Sequence, residues 1–353
     1  MRENFLWEGE FDMTLPEKIY IEPTDMCNLC CSICFRHSWI NEEMGMMDMP
    51  VFLKLCRELP EIPSVREVFF GGMGEPLFHD GIGEMMAAVP SHLKKTLITN
   101  GNLLGREMTE KLISAGLSEL WISLDGFESS KSEDIQTGTE FQTVINNIDT
   151  FNQQRAGHDI KLGISFVISE QNVNEIFKID EFADKYAVDI INISHQIPGT
   201  PVKGSDPEDP EAYGAGLWDF KVPLGKMRRL SEGKHSPVED ICPFIDNNAS
   251  FIKWNGDVVP CMQLLHSCRT YLYEEERNIT GFSYGNIHND SLMDCWSRAD
   301  YSHFRKRVRE FYFPFCRHCT GCDDRKENLS DCFLTESPAC GACLWASGRV
   351  FCP

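Results

Sequence analysis

A chain of 353 residues with 42% hydrophobic content carries enough apolar material for one large domain and a smaller one. Its formal net charge of −21 argues against a nucleic-acid partner, because phosphate contacts need clustered Lys and Arg. No apolar run reaches the roughly 18 residues needed to cross a bilayer, and acidic residues follow the first six where a signal peptide needs an apolar core, so a cytoplasmic location without a membrane partner is expected.

The 16 cysteines of such a chain point to metal or redox chemistry rather than to disulfides. They fall in two regions that flank a cysteine-free body: residues 27–34, with Cys56 beyond, and residues 242–352.

In chain order, the apolar run 18–22 reads as a first strand, and Cys27, Cys31 and Cys34 follow it as C-x3-C-x2-C. Three thiolates on a short loop can hold three corners of a [4Fe-4S] cube and leave one iron free for a small molecule, where electron carriers use four. Buried core thiols or a structural zinc site is the alternative reading. Cys30 sits out of register and reads as a bystander; Cys56, on a helix, reads as core.

Further strands are expected at 65–70, 94–99, 119–124, 161–168 and 189–194, alternating with helical patterns at 51–59, 84–88, 107–115, 140–153 and 173–186. This alternation predicts an α/β fold of about six parallel βα units, too few for a closed eight-stranded barrel. Ligands of parallel sheets sit at the carboxyl ends of the strands. There the sequence places the glycine-rich turn Gly71-Gly72-Met73-Gly74-Glu75-Pro76, then Thr99-Asn100-Gly101, then Ser123 and Asp125. The glycines would let a ligand approach the backbone, although an ordinary tight turn reads the same way.

Residues 201–240, rich in Pro, Gly and charge, are expected to form a linker or mobile loop between a first domain (1–200) and a second (241–353). The second opens with Cys242, then Asn255-Gly256 in a β-hairpin that delivers Cys261. Cys316, Cys319 and Cys322 follow, then Cys332, Cys340, Cys343 and Cys352. Two zinc ions or two iron-sulfur clusters would both use such a set, and spacing favours iron. Cys268 and Cys295 fall outside these runs, and Cys295 beside Trp296 reads as helical core.

The cysteine loop, glycine turn and polar strand ends, in this order, resemble the radical S-adenosylmethionine (SAM) superfamily. The cysteine runs from Cys242 resemble the SPASM extension with its auxiliary [4Fe-4S] clusters. The resemblance implies a partial (β/α)6 barrel followed by a small cysteine-rich SPASM-type domain. It implies that Cys27, Cys31 and Cys34 hold the SAM-site [4Fe-4S] cluster, with Cys242, Cys261, Cys316, Cys319, Cys322, Cys332, Cys340, Cys343 and Cys352 as ligands of two auxiliary clusters. Gly71, Gly72, Gly74 and Glu75 would meet the methionyl end of SAM, Thr99 and Asn100 would join this set, and Ser123 and Asp125 would face its ribose or carboxylate. Ser165 and His195 would add contacts, although His195 reads equally as structural. Ile33 departs from the pattern, since many members carry an aromatic residue there.

The segment from Ser337 to Pro353, with residues 20–24 and Arg36-His37-Ser38-Trp39, is similar to the maturases of tungsten-containing aldehyde ferredoxin oxidoreductases. The implied activity is reductive cleavage of SAM to a 5′-deoxyadenosyl radical that abstracts hydrogen from substrate, with a ferredoxin or flavodoxin as electron donor. The expected substrate is a tungsten oxidoreductase or its pterin cofactor. A radical SAM enzyme acting on a peptide or a sugar is the alternative, and an iron-sulfur electron carrier without SAM chemistry is a third reading.

Overall fold

The structure is a computed structural model that describes residues 12–169, 171–199, 241–272, 275–314, 316, 319, 321–335, 338–346, 350 and 352–353. The expected linker at 201–240 lies outside the described residues.

Six parallel strands, β1 (Lys18–Ile21), β2 (Glu67–Phe70), β3 (Lys94–Thr99), β4 (Glu119–Ser123), β5 (Lys161–Ile168) and β6 (Ile190–His195), lie side by side in chain order. Their sequences are nearly continuous apolar runs because helices cover parallel sheets and both faces are buried. The crossovers carry α1 (Met49–Glu58), α2 (Ile82–Ala88), α3 (Arg106–Ser114), α4 (Ser129–Ile135), α5 (Phe141–Gln154) and α6 (Ile179–Lys185). In α5 the buried residues Val144, Ile145, Ile148 and Phe151 recur at helical spacing, so one stripe faces the sheet. A glycine inside β5 has a packing cause: Gly163 stands opposite Trp121 of β4, and a Cβ there would lie 2.4 Å from the indole. Cys56, on the inner face of α1, is buried in the core, as its helical setting predicts.

Beyond the barrel come α7 (Pro243–Asp246), the hairpin β7 (Ala249–Ile252) and β8 (Val258–Val259), a second hairpin of β9 (Cys268–Leu272) and β10 (Glu275–Ile279), then α8 (Leu292–Trp296) and α9 (Ala299–Arg309). Cys295 is fully buried, as expected. The first hairpin forms at Asn255-Gly256, but it is not a separate layer. β7 pairs in parallel with β1, so one eight-stranded sheet runs β6-β5-β4-β3-β2-β1-β7-β8. The six-stranded part stays open, as predicted, because β1 is paired with β2 and β7 and never meets β6. Tyr20 of β1 seals the joint, stacked on Phe251 of β7 at 4.2 Å and packed on Phe69 of β2 at 4.9 Å. Burying such a ring contributes about 1.5–3 kcal/mol, so the second region is tied to the barrel by core packing.

Candidate functional site

The loop carrying Cys27, Cys31 and Cys34 leaves the carboxyl end of β1 and is fixed by backbone hydrogen bonds. Cys30 N donates to Thr137 O and Ser32 N to Ile135 O, which ties the loop to the end of α4. Glu75 N donates to Met26 O, which ties it to the glycine turn. Arg36 spans its base, donating to Asp25 O and Leu29 O at 3.1 Å each. The three thiols are half-buried, and Cys30 points to solvent. Burial pushes the Cys31 thiol up to about 12, reinforced by Cys34, Asp125 and Cys27, and burial also raises Cys27.

Such thiols become thiolates only beside positive charge or a metal. The buried Arg36 Nε has no hydrogen-bond partner among the described residues, and its guanidinium faces all three thiols. A cation against a three-thiol loop fits an occupant bound through thiolates. Among the described residues no three His, Cys, Asp or Glu side chains gather around a single ion position. A cubane does not ask for that, since each thiolate binds its own iron.

The glycine turn is packed closely against protein. Its missing side chains make room for protein. A Cβ on Gly71 would lie 2.5 Å from the Phe69 ring, one on Gly72 2.6 Å from Glu22 Cγ, and one on Gly74 2.2 Å from Thr24 O. The Glu75 carboxylate also turns inward, accepting from Leu77 N, Thr99 Oγ1 and Asn100 N at 2.7–2.9 Å. Burial raises its pKa to about 7 against these hydrogen bonds. Glu75 thus joins the turn to the end of β3. From there Asn100 Nδ2 reaches Asn28 Oδ1 at 2.8 Å and Cys27 Sγ at 3.8 Å, so one polar chain runs from the turn to the first thiol.

On the next strands Ser123 and Ser165 stand opposite each other in register. Asp125 is buried, accepts from Val167 N at 2.9 Å and is raised by burial to about 7. His195 is the last residue of β6, opposite Ile168. Asn28 and Arg36 were not singled out by sequence reasoning as site residues. A polar residue beside a thiol and a cation two residues beyond the last thiol were the available signals.

The remaining cysteines divide. Cys242, Cys261, Cys340 and Cys343 line one pocket whose walls include Phe244, Ile245 and Leu264. Burial raises all four thiols, that of Cys242 to about 12. Four neutral thiols facing one apolar space fit a group that binds four thiolates. Cys316, Cys319, Cys322 and Cys332 form a second neighbourhood, in which Cys316 feels Cys319 and Cys332, and Cys332 feels Cys319 and Cys322. Cys352 stands apart from both: its thiol accepts from Trp345 Nε1 at 3.3 Å and faces Lys18.

Residues 21–183 match the family model of the radical SAM superfamily, and residues 242–323 match the SPASM iron-sulfur cluster-binding domain. A tungsten-containing aldehyde ferredoxin oxidoreductase cofactor-modifying protein of Pyrococcus furiosus is 29% identical over 95% of this chain and 96% of its own. Among solved structures, anSMEcpe with bound AdoMet superposes with a TM-score of 0.62 at 18% identity, covering 94% of this chain and 96% of that one. Streptococcus suis SuiB bound to S-adenosylmethionine gives 0.61 at 20% identity, covering 92% of this chain and 75% of that one. At such identities these two likenesses speak to the fold alone. By its two family models, the chain carries a radical SAM domain and, behind its barrel, a SPASM iron-sulfur cluster-binding domain, the combination of a radical SAM enzyme.

Proposed function

We propose that this enzyme is a maturase that acts on a tungsten oxidoreductase or on its pterin cofactor. The observation that carries this reading is the likeness to the Pyrococcus furiosus cofactor-modifying protein, which spans 95% of this chain and 96% of that one rather than the barrel alone.

Cys27, Cys31 and Cys34 hold the SAM-site cluster in this reading, with Arg36 offsetting thiolate charge. The turn at 71–75, the end of β3, Ser123, Asp125, Ser165 and His195 surround SAM. The chemistry these two cofactors supply when bound is one-electron cleavage of SAM and hydrogen abstraction from substrate. One auxiliary cluster takes Cys242, Cys261, Cys340 and Cys343, and the other takes Cys316, Cys319, Cys322 and Cys332. A low-potential ferredoxin or flavodoxin in the cytoplasm supplies electrons. Among the described residues no helix is long and apolar enough to cross a membrane.

A second, small pocket lies beside the thiol loop and the SPASM domain. Its wall includes Phe35 beside Cys34, Gln263 two residues past Cys261, and Ala342 beside Cys343. Ile197, Thr270, Tyr271, Leu344, Trp345 and the buried Arg277, which donates to Arg325 O and Ala342 O, complete it.

The test is anaerobic. Reconstituted enzyme, SAM and dithionite are incubated with a tungsten aldehyde oxidoreductase produced without its maturase. The reading predicts that 5′-deoxyadenosine forms faster when the oxidoreductase or its isolated pterin is present, together with a mass change in one of them. Formation unaffected by either, but accelerated by a peptide or a sugar, would contradict it.

A further inference from the structure

A buried charge cluster lies outside the thiol centres. His266, in the loop between β8 and β9, is 3% exposed. Its Nε2 is 3.0 and 3.1 Å from the two oxygens of Glu22, and its Nδ1 is 3.0 Å from Glu42 Oε2. Two carboxylates, one on each ring nitrogen, select the doubly protonated imidazolium. Burial lowers its pKa, but Glu22 and Glu42 outweigh this and the net shift is upward. Trp39 lies flat on the ring at 4.0 Å. Glu42 is held from two further sides: Lys253 Nζ donates to it at 2.7 Å and Ser267 N at 2.6 Å.

This cluster touches both walls of the proposed SAM site. Glu22 directly follows β1, and its Oε1 also accepts from Met73 N, inside the glycine turn, at 3.1 Å. Gly72 rests on the same side chain. Trp39 and Glu42 belong to the segment that leaves the thiol loop after Cys34, and Ile40 N donates to Ser267 O at 2.9 Å. Removing the imidazole would leave a buried carboxylate without its cation, which is costly unless the carboxylate turns away or takes a proton. Either response loosens its hold on Met73.

We propose that His266 is a positioning residue through which the SPASM domain fixes the SAM-binding turn, acting on it by way of Glu22. The proposal rests on the reading that SAM binds between the thiol loop and this turn.

His266→Ala and His266→Gln would be compared with wild type as reconstituted full-length protein. A third variant, Lys54→Met, serves as control. Lys54 also joins barrel to SPASM domain, donating to Ile287 O and Asp290 O at 2.7 Å each, through contacts that do not involve the turn. Iron per chain, the SAM-dependent change in the electron paramagnetic resonance signal of the reduced cluster, and amide exchange over residues 69–77 would be measured. The proposal expects wild-type iron in all three variants. It expects SAM affinity about tenfold weaker in His266→Ala, with faster exchange over 69–77, partial recovery in His266→Gln, and neither change in Lys54→Met. Unchanged affinity and exchange in His266→Ala, or equal weakening in Lys54→Met, would overturn it. If wild type itself shows no SAM-dependent signal, the SAM reading fails, and exchange over 69–77 still decides whether His266 holds the turn.

Discussion

The loop at residues 27–34 brings three half-buried thiols to the end of the sheet among Asn28, Asn100 and Arg36, whereas Cys242, Cys261, Cys340 and Cys343 bring four thiols into one apolar cavity. The difference in surroundings matches the difference in count. A polar rim can receive a polar ligand at an iron that no thiolate occupies, while an apolar cavity with four thiols closes all corners and excludes water. In the proposed reading the first centre suits exchange of a ligand and the second retention.

The sharpest way to break this comparison is to remove one thiol of the closed set. Cys343→Ser should cost about four irons per chain, the content of one cluster. Cys352→Ser should cost none, since its thiol faces Trp345 and Lys18 instead of the cavity. Iron and sulfide analysis after reconstitution checks both. Equal losses would dissolve the division of cysteines drawn here.

A smaller effect sharpens the account of the open centre. Gly74→Ala would place a Cβ 2.2 Å from Thr24 O and 2.6 Å from Met26 O, backbone atoms at the root of the thiol loop that cannot swing aside. The expected cost is about 1–3 kcal/mol of stability, read from the denaturation midpoint. Gly105→Ala, with nothing within 4 Å of the new Cβ, should cost less, about 0.5–1 kcal/mol from the poorer N-cap of α3 alone.

The barrel was legible because its strands are short β-branched or aromatic runs buried on both faces, so the expected 94–99 and 161–168 coincide with β3 and β5. Elements without an apolar stripe were not. Polar α4 and the β9–β10 hairpin left no periodic signal, and they hold their shape through tertiary contacts, whereas α9 carries the buried stripe Tyr301, Phe304 and Val308, diluted among charged residues. Pairing of β7 with β1 joins residues more than 200 positions apart, which no local pattern records. The thiol loop was readable from spacing alone. The inward turn of Glu75 was not, because its partners Thr99 and Asn100 lie on another strand. His266 and Glu22 are unremarkable singly and meaningful only once folding brings them together.

The most direct test of the central claim is anaerobic: iron, sulfide and 5′-deoxyadenosine formation with dithionite and SAM, in wild type and in Cys27→Ala/Cys31→Ala/Cys34→Ala. The account predicts about twelve irons in wild type, about eight in the variant, and SAM cleavage in wild type only. Cleavage that survives in the variant, or zinc in place of iron, would contradict it.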